Sequence, residues 1–301
     1  MLVATTGCDR VKRSLRPDNS DPRWQSDSAL LAAKPEFLFR MLRDSTGERV
    51  FPMATVGSLG FRPIAFGDRG WRAFDLLYLQ KGTRLTSYHE GVATGATEMT
   101  RGMWDPPTDP LDTLPGCPVV VPSGKATVSQ NTWLLTSGKR PPLKPVTPLS
   151  SAELQAALST VSTLVAPTSG IAGAILAKYR REVFVVASGI GSRPSIVVLY
   201  DDPESLSDTV ASIAQRPRQL VVVLDRGVYG FRPSYTFTTV GNRRAAPRIR
   251  FLDYLDVDGD GRAELFFGWR NPQPQLYTIV LRFENENWRE ILRFQGNRCQ
   301  L

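Results

Sequence analysis

The densest chemistry in this sequence lies in nine residues, Asp256-Val-Asp258-Gly-Asp260-Gly261-Arg262-Ala-Glu264. Carboxylates stand at loop positions 1, 3, 5 and 9, with a glycine at position 6. Alternate side chains of a short loop turn toward one point, a glycine permits the sharp reversal, and the residue after it contributes a backbone carbonyl. Four carboxylates this close repel one another unless a cation lies among them. The pattern therefore predicts a calcium site built from Asp256, Asp258, Asp260 and Glu264, with the Arg262 carbonyl. The competing reading is an Asp/Gly surface turn, which the same residues favour. An EF-hand needs a bidentate Glu at position 12, and Phe267 stands there.

The residues after the loop, Leu265-Phe-Phe-Gly-Trp269, read as a strand and not as an exiting helix. A loop of this pattern followed by an apolar strand resembles the calcium loops of FG-GAP or integrin-type propeller repeats. The resemblance covers residues 248–270 in a single copy, whereas a whole propeller repeats its blades. It implies side-chain ligation by Asp256, Asp258, Asp260 and Glu264, the Arg262 carbonyl as a further ligand, and an ion that stiffens the loop and is not catalytic.

Other chemistry is sparse. The one histidine, His89, would have to serve any triad, and it reads instead as a half-exposed strand or turn residue. One histidine and three separated cysteines offer no zinc-ligand pair. Gly189-Ile-Gly191-Ser-Arg-Pro194 begins like a dinucleotide loop, but proline replaces its last glycine and a strand follows. A carboxylate pair for glycoside hydrolysis would be paired in space, and no pair stands out in the sequence. Glu182 and Asp225 border apolar strands and read as strand-end residues.

The amino terminus, Met1-Leu-Val-Ala-Thr-Thr-Gly7-Cys8, ends like the cleavage site of a bacterial lipoprotein signal. On that reading Cys8 is lipidated, and Cys117 and Cys299 remain to form one disulfide. The alternative is two free thiols in a cytosolic protein. No apolar run is long enough for a transmembrane helix.

These residues need a scaffold. The chain has 301 residues, 24 glycines and 23 prolines, which suits many short strands and turns. Residues 1–28 read as a disordered tether and 29–140 as an amino-terminal β-rich domain. Prolines 141, 142, 145 and 148 mark a linker at 141–149, and 150–301 read as a second β-rich domain carrying the loop. Residues 28–43 fit either a helix or a strand, and Ala73-Phe-Asp-Leu-Leu-Tyr-Leu79 reads as a strand. Ser150-Ser-Ala-Glu153 is a capping box that opens a helix expected to stop before Pro167. A second short helix is expected over 203–214. Eight strands follow residue 180, enough for a sandwich or for two four-stranded blades. The expected fold class is mainly β, with antiparallel sheets and one or two short helices.

The net charge of +8 is spread over scattered arginines. Its denser groups, at 10–16 and 243–250, lack the aromatic interleaving of a single-strand binder, so nucleic acid is not the expected partner. The sequence points to a non-enzymatic, calcium-stabilised protein, secreted or anchored to the bacterial envelope through Cys8, that recognises a protein or glycan ligand. A secreted hydrolase with a hidden carboxylate pair is the main alternative. A cytosolic basic binding protein with a chance Asp/Gly turn is the weaker one.

Overall fold

Residues 196–200 and 220–224 are apolar without alternation, and strands of that kind must be covered on both faces. The computed structural model shows how. It describes residues 22–44, 47–56, 61–103, 119–123, 134–202, 217–241, 246–270 and 276–295. Cys8, Cys117 and Cys299, the expected helix at 203–214 and residues 1–21 of the expected tether lie outside the described residues.

The architecture is mainly β and antiparallel. In the first half, α1 (Pro22–Ala32) leads into β1 (Glu36–Asp44), β2 (Gly47–Val56) and β3 (Arg62–Pro63). Helix α2 (Asp68–Tyr78) follows, then β4 (Arg84–His89), β5 (Val92–Arg101), β6 (Val119–Ser123) and β7 (Leu134–Thr136). The strand order is β1-β7-β4-β5-β6-β2-β3, and β1 also pairs with β2, so six strands close into a barrel-like sheet. Phe37, Phe39, Met41, Val50, Leu85, Met99 and Leu135 fill its interior.

Helix α2 corrects the reading of residues 73–79 as a strand. Trp71, Phe74 and Tyr78 recur at helical spacing, and Phe74 enters the barrel core beside Phe37, ring centroids 4.7 Å apart and edge-on. The misleading signal came from Leu76 and Leu77, which are exposed. Helix α1 also runs through the tether boundary placed at residue 28. Its buried Asp27 accepts a hydrogen bond from the Gly67 amide at the start of α2, and a Cβ on Gly70 would lie 2.3 Å from an Asp27 oxygen. The ambiguity over 28–43 resolves as the end of a helix followed by a strand.

In the second half, α3 (Ser151–Thr160) carries the expected capping box. It does not stop before Pro167. A π-helical turn over Val161–Val165 leads into a final turn at Ala166–Thr168 that contains the proline. Strands β8 (Arg180–Val186), β9 (Ser195–Asp201), β10 (Pro217–Gly227) and β11 (Gly230–Val240) form one four-stranded sheet. Strands β12 (Arg248–Leu255), β13 (Glu264–Arg270), β14 (Leu276–Glu284) and β15 (Asn287–Gln295) form another. Each is an antiparallel meander, as both the sandwich and the two-blade readings require.

The unbroken apolar runs now have their explanation. Ile196, Val198, Leu220, Val222 and Leu224 face the α3 layer, while Val197, Leu199, Val221 and Val223 face the second sheet. That second sheet is covered twice as well. Leu265, Phe267, Ile279 and Leu281 meet the first sheet, whereas Leu252, Leu255, Phe266 and Val280 meet Leu38, Met53, Tyr88 and Leu134 on the outside of the barrel. The layers therefore run helix, sheet, sheet, barrel. Each fully buried large side chain contributes roughly 1.5–3 kcal/mol through the apolar surface it removes from water. The proline-rich segment after β7 is coil, as a linker should be, but it is docked: Leu143 packs against the core between the two sheets, and the Thr147 amide bonds the Ser192 carbonyl.

Candidate functional site

The carboxylate loop connects β12 to β13 at the end of the second sheet. Its course depends on Gly259 and Gly261, whose φ angles of +79° and +86° L side chains rarely adopt. Asp256 is 2% exposed and turns back into the loop, where its two oxygens accept the Gly259 and Gly261 amides at 2.7 and 2.9 Å. Asp258 accepts the Asp260 amide at 3.3 Å, and Asp260 accepts the Arg262 amide at 2.8 Å. As a result one oxygen from each of Asp256, Asp258 and Asp260 lies within 4.8 Å of the others.

Glu264 is placed differently. It is 1% exposed, and its oxygens accept the Val257 amide at 3.0 Å and the Arg282 Nε at 2.8 Å. Arg282, from β14, also donates through Nη2 to Asp258 at 2.7 Å. The guanidinium thus stands between Glu264 and the three aspartates, which form the carboxylate cluster without it. Burial pushes the Glu264 carboxyl up to about 7, against the opposing pull of the Val257 amide and Arg282. Burial likewise raises Asp256, against the Gly261 and Gly259 amides. Arg140, in the segment after the barrel, ion-pairs with Glu36. Burial lowers its pKa, and the field of Asp256 and Asp258 partly restores it.

The loop also ties the two sheets together. The Ala263 amide donates to the Ser188 carbonyl at 2.9 Å. Gly189 approaches so closely that a Cβ there would lie 2.0 Å from the Gly261 carbonyl oxygen. Behind this contact lies a buried polar chain. The Ser195 hydroxyl bonds Ser188 at 2.6 Å and donates to Asp225, which also accepts from Ser234 and, at 3.0 Å, from the Trp288 indole of β15. Asp225, two residues from the end of β10, is therefore a buried anchor.

The donor set suits a hard cation. Three clustered aspartate oxygens with glycine-permitted turns on either side match what calcium takes, and such oxygens can ligate while still accepting amide hydrogen bonds. Asp256, Asp258 and Asp260 would hold the ion, and Glu264 would join them only by exchanging Arg282 for it.

His89 stands at the end of β4 and is half-buried, as read from the sequence. Its Nδ1 lies 3.8 Å from a carboxylate oxygen of buried Asp253, a partner the sequence did not reveal. The larger described cavity, about 680 Å³ between α1, α2 and the barrel, is lined by Trp24, Leu31, Leu77 and Tyr78 and carries one carboxylate, Glu36. No family model, no curated protein and no solved structure matches this chain.

Proposed function

We propose that this chain is a non-enzymatic, calcium-stabilised recognition protein of the bacterial envelope or extracellular space. In this reading one calcium ion, held by Asp256, Asp258 and Asp260 with Glu264 and the Arg262 carbonyl, fixes the end of the second sheet against the first. The convergence of three aspartate oxygens within 4.8 Å carries the reading. Support also comes from the strand β13 that follows the loop in a four-stranded antiparallel sheet, the loop-then-strand order on which the FG-GAP resemblance rests. The ion would supply positive charge and stiffness, and the chain's own residues would set the loop's course. No helix among the described residues is long and apolar enough to cross a membrane. The envelope location is proposed through the lipid anchor at Cys8. The ligand recognised is proposed as a protein or glycan.

Calorimetric titration of the chelator-treated full chain with calcium tests the site: one ion per chain is expected, and Asp260→Ala should abolish it. No heat of binding, with wild type and variant alike, would overturn it. Labelled fatty acid incorporated by the wild type but not by Cys8→Ser would support the anchor.

A second reading has its own observation, the two hydrogen bonds from Arg282 to Asp258 and Glu264. Here the arginine is the loop's permanent cation and the turn is complete without an ion. Arg282→Leu separates the two. It should raise calcium affinity if the guanidinium competes with the ion, and should leave calcium without effect if the loop never binds one.

A further inference from the structure

Three two-residue hairpin tips can be compared in this structure, and one differs from the other two in its turn and in what it exposes. At the β4–β5 tip, Glu90 and Gly91 have φ of +51° and +72°, and at the β14–β15 tip, Asn285 and Glu286 have +49° and +64°. Positive φ at both central residues is the type I′ geometry that matches strand twist. Gly227 pairs with Gly230 across the β10–β11 tip, so its central residues are Val228 and Tyr229. Neither has a positive φ, so this tip is not a type I′ turn, and nothing in its backbone requires valine or tyrosine there. Packing does not explain them either: Val228 is 91% and Tyr229 103% exposed. Scattered exposed apolar residues are ordinary, but two adjacent ones at the apex of a projecting hairpin call for a surface that receives them.

The flanks indicate which surface. Arg226 and Arg232 sit just below the tip, and the pairings Arg226 with Phe231 and Asp225 with Arg232 place them on opposite faces of the hairpin. The Arg226 guanidinium lies over the Phe231 ring, 5.3 Å from its centroid. Arg232 donates to the Glu286 carbonyl, with the exposed Glu286 carboxylate 3.7 Å away. An aromatic and an aliphatic side chain on a convex tip, bracketed by arginines on a chain of net charge +8, match a bilayer interface. There the ring sits at headgroup depth and the guanidinium groups meet lipid phosphates. We propose that the β10–β11 tip inserts Val228 and Tyr229 into a lipid surface bearing anionic headgroups. This contact is independent of the calcium loop and of any lipid on Cys8.

Co-sedimentation of the full chain, purified without lipid, with vesicles of phosphatidylcholine containing phosphatidylglycerol tests it. The wild type should bind these vesicles and bind pure phosphatidylcholine far less. Val228→Ser with Tyr229→Ser should weaken binding at least tenfold, since full apolar burial of two such side chains is worth more than that. Because both residues point into solvent, the double variant should keep the wild-type melting temperature. Tyr229→Trp should show a blue-shifted emission, relative to the wild type, only with anionic vesicles. Absence of vesicle binding, or equal binding by wild type and double variant, would overturn the proposal and leave a protein groove as the tip's receiver.

Discussion

Arg282 and Glu264 face each other on adjacent strands of one sheet, with the guanidinium Nε 2.8 Å from a carboxylate oxygen that is almost wholly removed from water. The same guanidinium reaches Asp258. The cation closest to the loop's carboxylates is thus one the chain itself provides, and it decides how the loop behaves without calcium. A buried ion pair adds little relative to apolar neighbours, but breaking one by removing a partner is costly because the other charge is left unpaired.

Arg282→Leu should therefore destabilise the protein in chelator by about 3 kcal/mol, the low end for a broken buried pair because the arginine retains some exposure. Calcium should recover part of that loss by taking the guanidinium's place beside Glu264. Denaturant melts in chelator and in calcium measure both quantities, and a loss that calcium leaves untouched would show that the ion does not substitute for the arginine.

Gly189→Ala should uncouple the loop from the first sheet. The residue has φ +73°, and its added methyl would collide with the Gly261 carbonyl, which is backbone and cannot swing aside. A cost of about 2 kcal/mol or more is expected from strain and displacement together. Calcium affinity should fall as well, although residue 189 is no ligand. Wild-type affinity in the variant would show that the docking contact does not hold the loop in its binding form.

Stability should also depend on pH at the junction of barrel and sheet. His89 is raised above the usual imidazole value, first by the Asp253 carboxylate and further by Glu90, against its partial burial. Burial raises Asp253, against His89 and the Tyr254 and Glu90 amides. Both groups bind protons more tightly folded than unfolded. The His89 contribution is therefore fully present below the ordinary histidine pKa of about 6.5 and is lost as pH rises through the raised His89 value, whereas that of Asp253 is fully present only below the ordinary aspartate pKa of about 3.9 and is lost above it. The melting temperature should rise between pH 8 and pH 6, and His89→Gln should flatten that rise. An unchanged slope in the variant would assign the dependence to other groups.

The barrel plug should tolerate little. Phe74 is fully buried against Phe37 and Tyr78, so Phe74→Ala should cost about 3–5 kcal/mol by chemical denaturation. Leu76→Ala, on the exposed face of the same helix, should cost under about 1 kcal/mol.

The contrast between Phe74 and Leu76 also shows where the sequence could be read and where it misled. Strands of the second half were legible because their apolar runs are bounded by turn residues, and the Ser150 box announced α3 through a local pairing with Glu153. Helix α2 was hidden because Leu76 and Leu77 fill in its polar face and give the segment the look of a strand. The loop's aspartates were legible because the bonds that gather them span at most five residues. Their surroundings were not. Arg282 lies 18 residues from Glu264, Trp288 63 residues from Asp225, and Asp253 163 residues from the Glu90 amide it holds. Only the fold brings such partners together. A lone arginine within the apolar strand Ile-Val-Leu-Arg282-Phe was the one visible hint.

The account stands on the calcium loop, and the melting temperature of the full chain in calcium and in chelator tests it most directly. Asp260 is the variant of choice, because it is exposed and its side chain accepts a local hydrogen bond from the Arg262 amide, so its loss leaves the Arg282 pairs in place. At calcium a hundredfold above its dissociation constant, mass action adds about 2.7 kcal/mol to the folded state. For a chain of this size that is a rise of roughly 4 °C. The account predicts this rise for the wild type, none with magnesium at the same concentration, and none for Asp260→Ala, whose melting temperature in chelator stays close to that of the wild type. Equal wild-type melting temperatures in calcium and in chelator would contradict it, and the loop would then be an arginine-clasped turn.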